Sequence, residues 1–104
     1  MGDGARFLDE NLPGWAGKEG TSRGVNPYTL DMGDCYLDVL GQLYGNYQIG
    51  LQELLLTHEE AVELGFDTDN PADYPRLTES WRHKVSIRRY GKTRHKKSRG
   101  LWAK

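Results

Sequence analysis

The stretch DCYLDVLGQLYGNY, residues 34–47, decides the fold. Tyr36, Leu37, Val39, Leu40, Leu43, Tyr44 and Tyr47 recur at steps of three, four and seven residues, the spacing of one apolar face of an α-helix. The pattern predicts a central helix that begins after Asp34. A carboxylate there can accept hydrogen bonds from the free amides of the first turn and is favoured by the positive end of the helix dipole. Gly41 and Gly45 lie four residues apart and so share a face of that helix. Each costs about 1 kcal/mol relative to Ala, so either another backbone packs closely on that face or the helix bends. Such a face can meet a second subunit as easily as a helix of the same chain, which leaves the oligomeric state open.

Downstream, Leu51 to Leu56 either extends this helix or makes a short turn. Thr57, with Glu60 three residues later, is the pattern of a reciprocal N-terminal cap, and Gly65 followed by Phe66 suits a left-handed ending. These signals bound a short helix from His58 to Leu64. After an acidic loop, Asp67 to Asp73, Pro75 suits the first turn of a further helix. Tyr74, Leu77, Trp81 and Val85 give it a core face, with Arg82 and Arg89 on the opposite face, and it ends near Tyr90 and Gly91.

Upstream, Ala5 to Leu12 can form a short helix stopped by Pro13 and Gly14, and Trp15 is expected to anchor an irregular connection to the core. The expected fold is mostly α. Residues 1–91 form a small helical domain, loop-rich over 13–33, and residues 92–104 a basic C-terminal arm expected to be flexible when unbound. No internal repeat or coiled-coil heptad series is present.

Composition narrows the function. The chain has 104 residues, of which 37% are hydrophobic, enough for one small core. Its only cysteine, Cys35, excludes an intrachain disulfide and a cysteine-based zinc cluster, and fits a reducing compartment. The longest apolar run, Leu54 to Leu56, is far short of a membrane span, and the N-terminus does not resemble a signal peptide. The expectation is a cytoplasmic protein with no membrane partner.

Charge is strongly segregated. Residues 82–104 hold ten of the fourteen Lys and Arg residues and no carboxylate, whereas residues 1–81 carry all fifteen carboxylates. Unopposed positive charge seeks phosphate or carboxylate surfaces. The candidate nucleic-acid contacts are Arg82, Arg88, Arg89, Lys92, Arg94, Lys96, Lys97 and Arg99, with Trp102 and Tyr90 able to stack on unpaired bases of DNA or RNA. Arg82, Arg88 and Arg89 form a fixed patch on the last helix, and the later residues extend it. No homeodomain, zinc-finger or RNA-recognition signature is present, so strong sequence specificity is not implied. The bland alternative is a solvated extension that folds back on the acidic body.

Other constellations carry less. Asp67, Asp69, Asn70 and Asp73 fail the EF-hand pattern, because Pro71 and Ala72 stand where a ligand and the turn glycine belong and Thr78 where the bidentate Glu belongs. His58, His83 and His95 have no metal-ligand spacing, and no glycine-rich phosphate loop follows a strand, so no cofactor is expected. Cys35 reads as a small buried helix residue and not as a nucleophile, so the chain is not expected to be an enzyme. Tyr36, Tyr44 and Tyr47 fit either core or an interface.

Residues 15–81 resemble small uncharacterised proteins of actinobacteria and their phages. The residues that carry this are Leu30-Asp31-Met32 leading into Asp34-Cys35, then Val39 to Gly45, Tyr47, Gly50-Leu51, Ala61 and Leu64-Gly65-Phe66, with Trp15 and Trp81 outside them. The resemblance implies a small phage or actinobacterial accessory protein that works by binding in the bacterial cytoplasm, with no activity to transfer. The basic extension after Tyr90 departs from the short endings of such proteins. Two functions follow as expectations: nucleic-acid binding through the basic segment, and docking of a host or virion protein through the helical body.

Overall fold

Three aspartates compete to start the central helix, and the last of them prevails. In the computed structural model, which describes residues 2–18 and 24–91, the Asp31 and Asp34 side chains accept from the amides of Gly33 and Tyr36, two residues on, at 2.9 and 2.8 Å. These local bonds hold residues 31–38 in successive turns. The helix therefore begins only at Val39, with Asp38 as its cap accepting from the Gly41 amide. Asp34 is not the cap, and Tyr36 and Leu37 lie outside the helix.

A second correction follows at Gly45, whose φ of 102° ends the helix. Asn46 then caps a new one, accepting from the Ile49 amide at 2.9 Å. The expected central helix is thus two helices, α2 over Val39–Tyr44 and α3 over Tyr47–Leu54. Only Gly41 of the glycine pair meets close backbone: a Cβ there would collide with the Cys35 carbonyl oxygen, whereas Gly45 has nothing within 4 Å of that position. Gly50 of α3 is also tightly packed, since a Cβ there would lie 2.7 Å from Cβ of Leu40. Cys35 is exposed in the turn before α2, not buried on a helix.

The remaining helices follow their local signals. The first, α1, covers Gly4–Asn11, close to the expected bounds. After α3, Leu55 takes a left-handed conformation and closes it. Helix α4 spans His58–Leu64 with the reciprocal cap formed, Thr57 Oγ1 accepting from the Glu60 amide at 3.1 Å and Glu60 from the Thr57 amide at 2.9 Å. Gly65 ends it at φ 87°, and the Phe66 amide donates to the Ala61 carbonyl at 2.8 Å. A single 3-10 turn, Pro71–Asp73, leads into α5, Tyr74–Tyr90, which Gly91 closes.

The described residues contain no β-strand, and the fold is mostly α. Between α1 and α2 the described chain makes turns only, so the irregular part runs on past residue 33 to Asp38. The core gathers Leu8 of α1, Trp15 and Val25 of that irregular part, Val39 and Leu40 of α2, Ala61 of α4, Phe66, and Trp81 and Val85 of α5. Thr78, also on the buried face of α5, accepts from the Met32 amide at 2.9 Å and joins the irregular part to the helix. The expected arm, residues 92–104, lies outside the described residues.

Replacing Gly41 by Ala is expected to lower the unfolding free energy by about 2–3 kcal/mol, because the neighbour that must move is backbone. Urea unfolding of Gly41→Ala beside the parent measures this, and an unchanged midpoint would contradict the close approach.

Candidate functional site

Three of the candidate phosphate contacts lie between the middle and the end of α5, and each donates to acceptors within the chain. Arg82 donates from Nε to the Pro27 carbonyl at 2.8 Å and from Nη2 to the Leu30 carbonyl at 3.3 Å, and pairs with Glu79 through Nη1. Arg89 donates to the carbonyls of Lys18 and Val25 at 3.1 and 3.0 Å. Arg88 grips Asp9 of α1 with two parallel bonds, Nε to Oδ1 at 2.9 Å and Nη2 to Oδ2 at 2.8 Å. The Trp15 indole N–H donates to the same Asp9 oxygen at 2.9 Å, and the Arg88 guanidinium lies 5.5 Å from the Trp15 ring centre.

This arrangement changes what the basic helix does. Backbone carbonyls of the irregular part have no strand or helix to satisfy them, and arginine, with five donors in a rigid fork, supplies the missing partners. The expected fixed patch is therefore a clasp that fastens the segment between α1 and α2 to α5. Arg88 holds the Asp9 carboxyl below the usual range, chiefly through the hydrogen bond, and Asp9 in turn raises Arg88. Lys92, Arg94, Lys96, Lys97, Arg99 and Trp102 lie outside the described residues.

A second constellation joins α2, α3, α4 and the acidic loop. His58, the first residue of α4, has Nε2 3.1 Å from Asp69 Oδ1, while its Nδ1 lies 3.3 Å from the Tyr47 hydroxyl and 3.6 Å from Asp67 Oδ2. Tyr74 donates its hydroxyl to Asp67 Oδ1 at 2.7 Å, and that bond pushes the Tyr74 phenol up to about 12. Burial foremost, with the Asp67 carboxylate beside it, raises the Tyr47 phenol as well. Close by, Asp38 is 4% exposed. Burial pushes its carboxyl up to about 7 against the opposing hydrogen bond from Gly41, with the charges of Asp67 and Asp34 adding to the rise.

Chemically this cluster is a brace. His58 links the start of α4 to the loop, and Asp67 fastens the loop to the first turn of α5. No group of three His, Cys, Asp or Glu side chains among the described residues is placed to hold a metal ion. The tyrosines divide: Tyr47 is buried, Tyr44 half-buried and Tyr36 exposed, with Tyr28 and Leu55 the most exposed large apolar residues described. No helix among the described residues is long and apolar enough to cross a membrane.

Asp38 and Asp9 escape sequence reasoning. Asp38 is one of three closely spaced aspartates, and Asp9 finds Arg88 across 79 positions. Comparison with family models, with curated proteins and with solved structures finds no match to this chain.

Asp38 has a measurable pH signature. In the unfolded chain its carboxyl has lost its proton by about pH 5, whereas the folded chain keeps it until about 7, so folding binds a proton in between and stability falls as pH rises through that window. Asn at this position still accepts the cap bond and cannot ionise. Asp38→Asn is expected to match the parent to within about 1 kcal/mol at pH 4 and to exceed it by roughly 2–4 kcal/mol at pH 8. Urea unfolding of both proteins at pH 4, 6 and 8 checks this, and a constant difference across the range would refute it.

Proposed function

We propose that the chain is a non-enzymatic binding protein in which an acidic helical body presents its basic C-terminal segment to nucleic acid without strong sequence specificity. The observation that carries this reading is the segregation of charge, with ten cations and no carboxylate after Trp81. The clasp narrows it. Arg82, Arg88 and Arg89 have donors engaged on Pro27, Asp9 and Val25, so the phosphate contacts fall to Lys92, Arg94, Lys96, Lys97 and Arg99, with Trp102 stacking on unpaired bases. The setting is a phage or actinobacterial accessory protein acting in the bacterial cytoplasm, as the resemblance implies.

A second reading has its own support. Tyr28, Tyr36 and Leu55 are 79%, 64% and 88% exposed, and large apolar side chains offered to solvent suit docking of a host or virion protein on the helical body. The two readings make opposite demands on the basic segment. A protein partner is expected to stay bound when that segment is neutralised and to leave when Tyr36→Ala and Leu55→Asp are combined.

Titration of labelled DNA and RNA at two salt concentrations tests the first reading. Five phosphate contacts predict a fall of log affinity with log salt at a slope of about −4.5 on duplex DNA and about −3.5 on single strands. A variant with Lys92, Arg94, Lys96, Lys97 and Arg99 all changed to Gln is expected to lose the salt-sensitive binding. No binding near physiological salt, or an unaltered slope in that variant, would sink the nucleic-acid reading.

A further inference from the structure

A groove of about 430 Å³ lies along α5, walled by the end of α4 at Val62 and Gly65 and by the N-terminal segment at Gly2. This volume is in the range of small-ligand sites, which are mostly apolar with a few placed polar groups. Val62, Leu77 and Trp81 supply apolar lining. Arg76, Ser80 and Lys84 supply polar groups, and their four-residue spacing stacks them on one stripe of the helix at about 6 Å per step.

Arg76 and Lys84 differ from the cations of the clasp. Neither has a carboxylate partner among the described residues, and the Lys84 ammonium has only the Trp81 ring, 5.2 Å from its centre. Of the two carboxylates that also line the groove, Asp67 accepts from the Tyr74 hydroxyl at 2.7 Å and faces His58. Asp73 stands at the start of α5, where the helix dipole favours negative charge, and makes no cap hydrogen bond there. Arg76 and Lys84 flank Ser80 beside apolar surface with no ion pair among the described residues.

The geometry points to a binding site for a small amphipathic anion: an aromatic or aliphatic body carrying one carboxylate, sulfonate or phosphate group. Its head lies at Ser80 within reach of both Arg76 and Lys84, and its body lies against Val62 and Leu77, with the buried Trp81 behind them. An anionic head gains charge-assisted hydrogen bonds from two otherwise unpaired donors, while the body leaves water for an existing concavity. A cation of the same shape gains neither. The proposal uses none of the basic residues beyond Gly91 and does not rest on the nucleic-acid reading.

The test uses the full chain and 8-anilinonaphthalene-1-sulfonate, an aromatic body with a single sulfonate. Titration at native near-ultraviolet circular dichroism is expected to saturate at a single site, with amide shifts confined to residues 62–68 and 76–84. The R76Q/K84Q variant is expected to bind about tenfold more weakly or worse, with an unchanged urea midpoint. Neutralising Lys92 to Arg99 is expected to leave the titration unaltered. Indole-3-acetate is expected to displace the probe, and tryptamine, the same ring with an ammonium, is not. The proposal is overturned by any of four results: no saturable binding, shifts centred on the basic segment, an unaffected double variant, or equal displacement by tryptamine.

Discussion

Trp81 is the contact on which the rest of the packing depends. Its ring stacks on Phe66, with centroids 5.3 Å apart and planes 16° apart, and meets the edge of Trp15 at 5.7 Å. Phe7 of α1 in turn packs edge-on against Phe66 at 6.2 Å. The indole N–H donates to the Gly65 carbonyl at 2.7 Å, satisfying the one polar atom that this burial would otherwise strand. One side chain therefore joins α5 to the α4 cap, to the anchor of the irregular part and, through Phe66, to α1. Gly4 is shaped by the same ring, since a Cβ there would lie 2.8 Å from it. Deleting a buried Trp costs about 3–5 kcal/mol, a large share of the total stability of so small a domain.

The arginine clasp depends on that hub. Trp81 and Val85 fix which face of α5 looks inward, and Arg82, Arg88 and Arg89 are thereby set at the border where the irregular part passes. Each then reaches across 52 to 79 sequence positions to a carbonyl or to Asp9. A segment that neither coils into a helix nor pairs as a strand is held by side chains borrowed from a regular element. These contacts are polar and sit at the margin of the core, where a guanidinium keeps its charge. The Asp9 pair is the strongest of these contacts because it is bidentate and shares its acceptor with the Trp15 indole.

Sequence reasoning succeeded where structure is set by neighbours and failed where it is set by competition or distance. Thr57, Glu60 and Gly65 act within a few residues of one another, so α4 was legible to the residue, and the apolar spacing of α5 with Gly91 behind it was nearly so. The central helix was misjudged because Asp31, Asp34 and Asp38 are equivalent cap candidates on paper. Gly41 and Gly45 look alike in sequence too, yet one accommodates backbone and the other turns the chain. Periodicity found the right apolar residues and could not see that they belong to two helices. For the basic residues, composition marked a boundary at Arg82, whereas in the structure Arg82, Arg88 and Arg89 donate to acceptors within the chain. No local pattern announces that, because the partners are backbone carbonyls far away in the sequence.

Over residues 1–91 the fifteen carboxylates outnumber the eight Lys and Arg residues, and they are concentrated on α4 and the loop that follows, where Glu59, Glu60, Glu63, Asp67, Asp69 and Asp73 fall within fifteen positions. Such a surface repels phosphate, and at physiological ionic strength the repulsion decays over about 8 Å. On the proposed reading, a polyanion drawn to the basic segment would be repelled by this surface, so its contacts would be confined to the segment and its association would be reversible and salt-sensitive. The same field acts on the groove, where Asp67 and Asp73 share the lining with Arg76 and Lys84, so an anion there would have to make short contacts with both cations to overcome the repulsion.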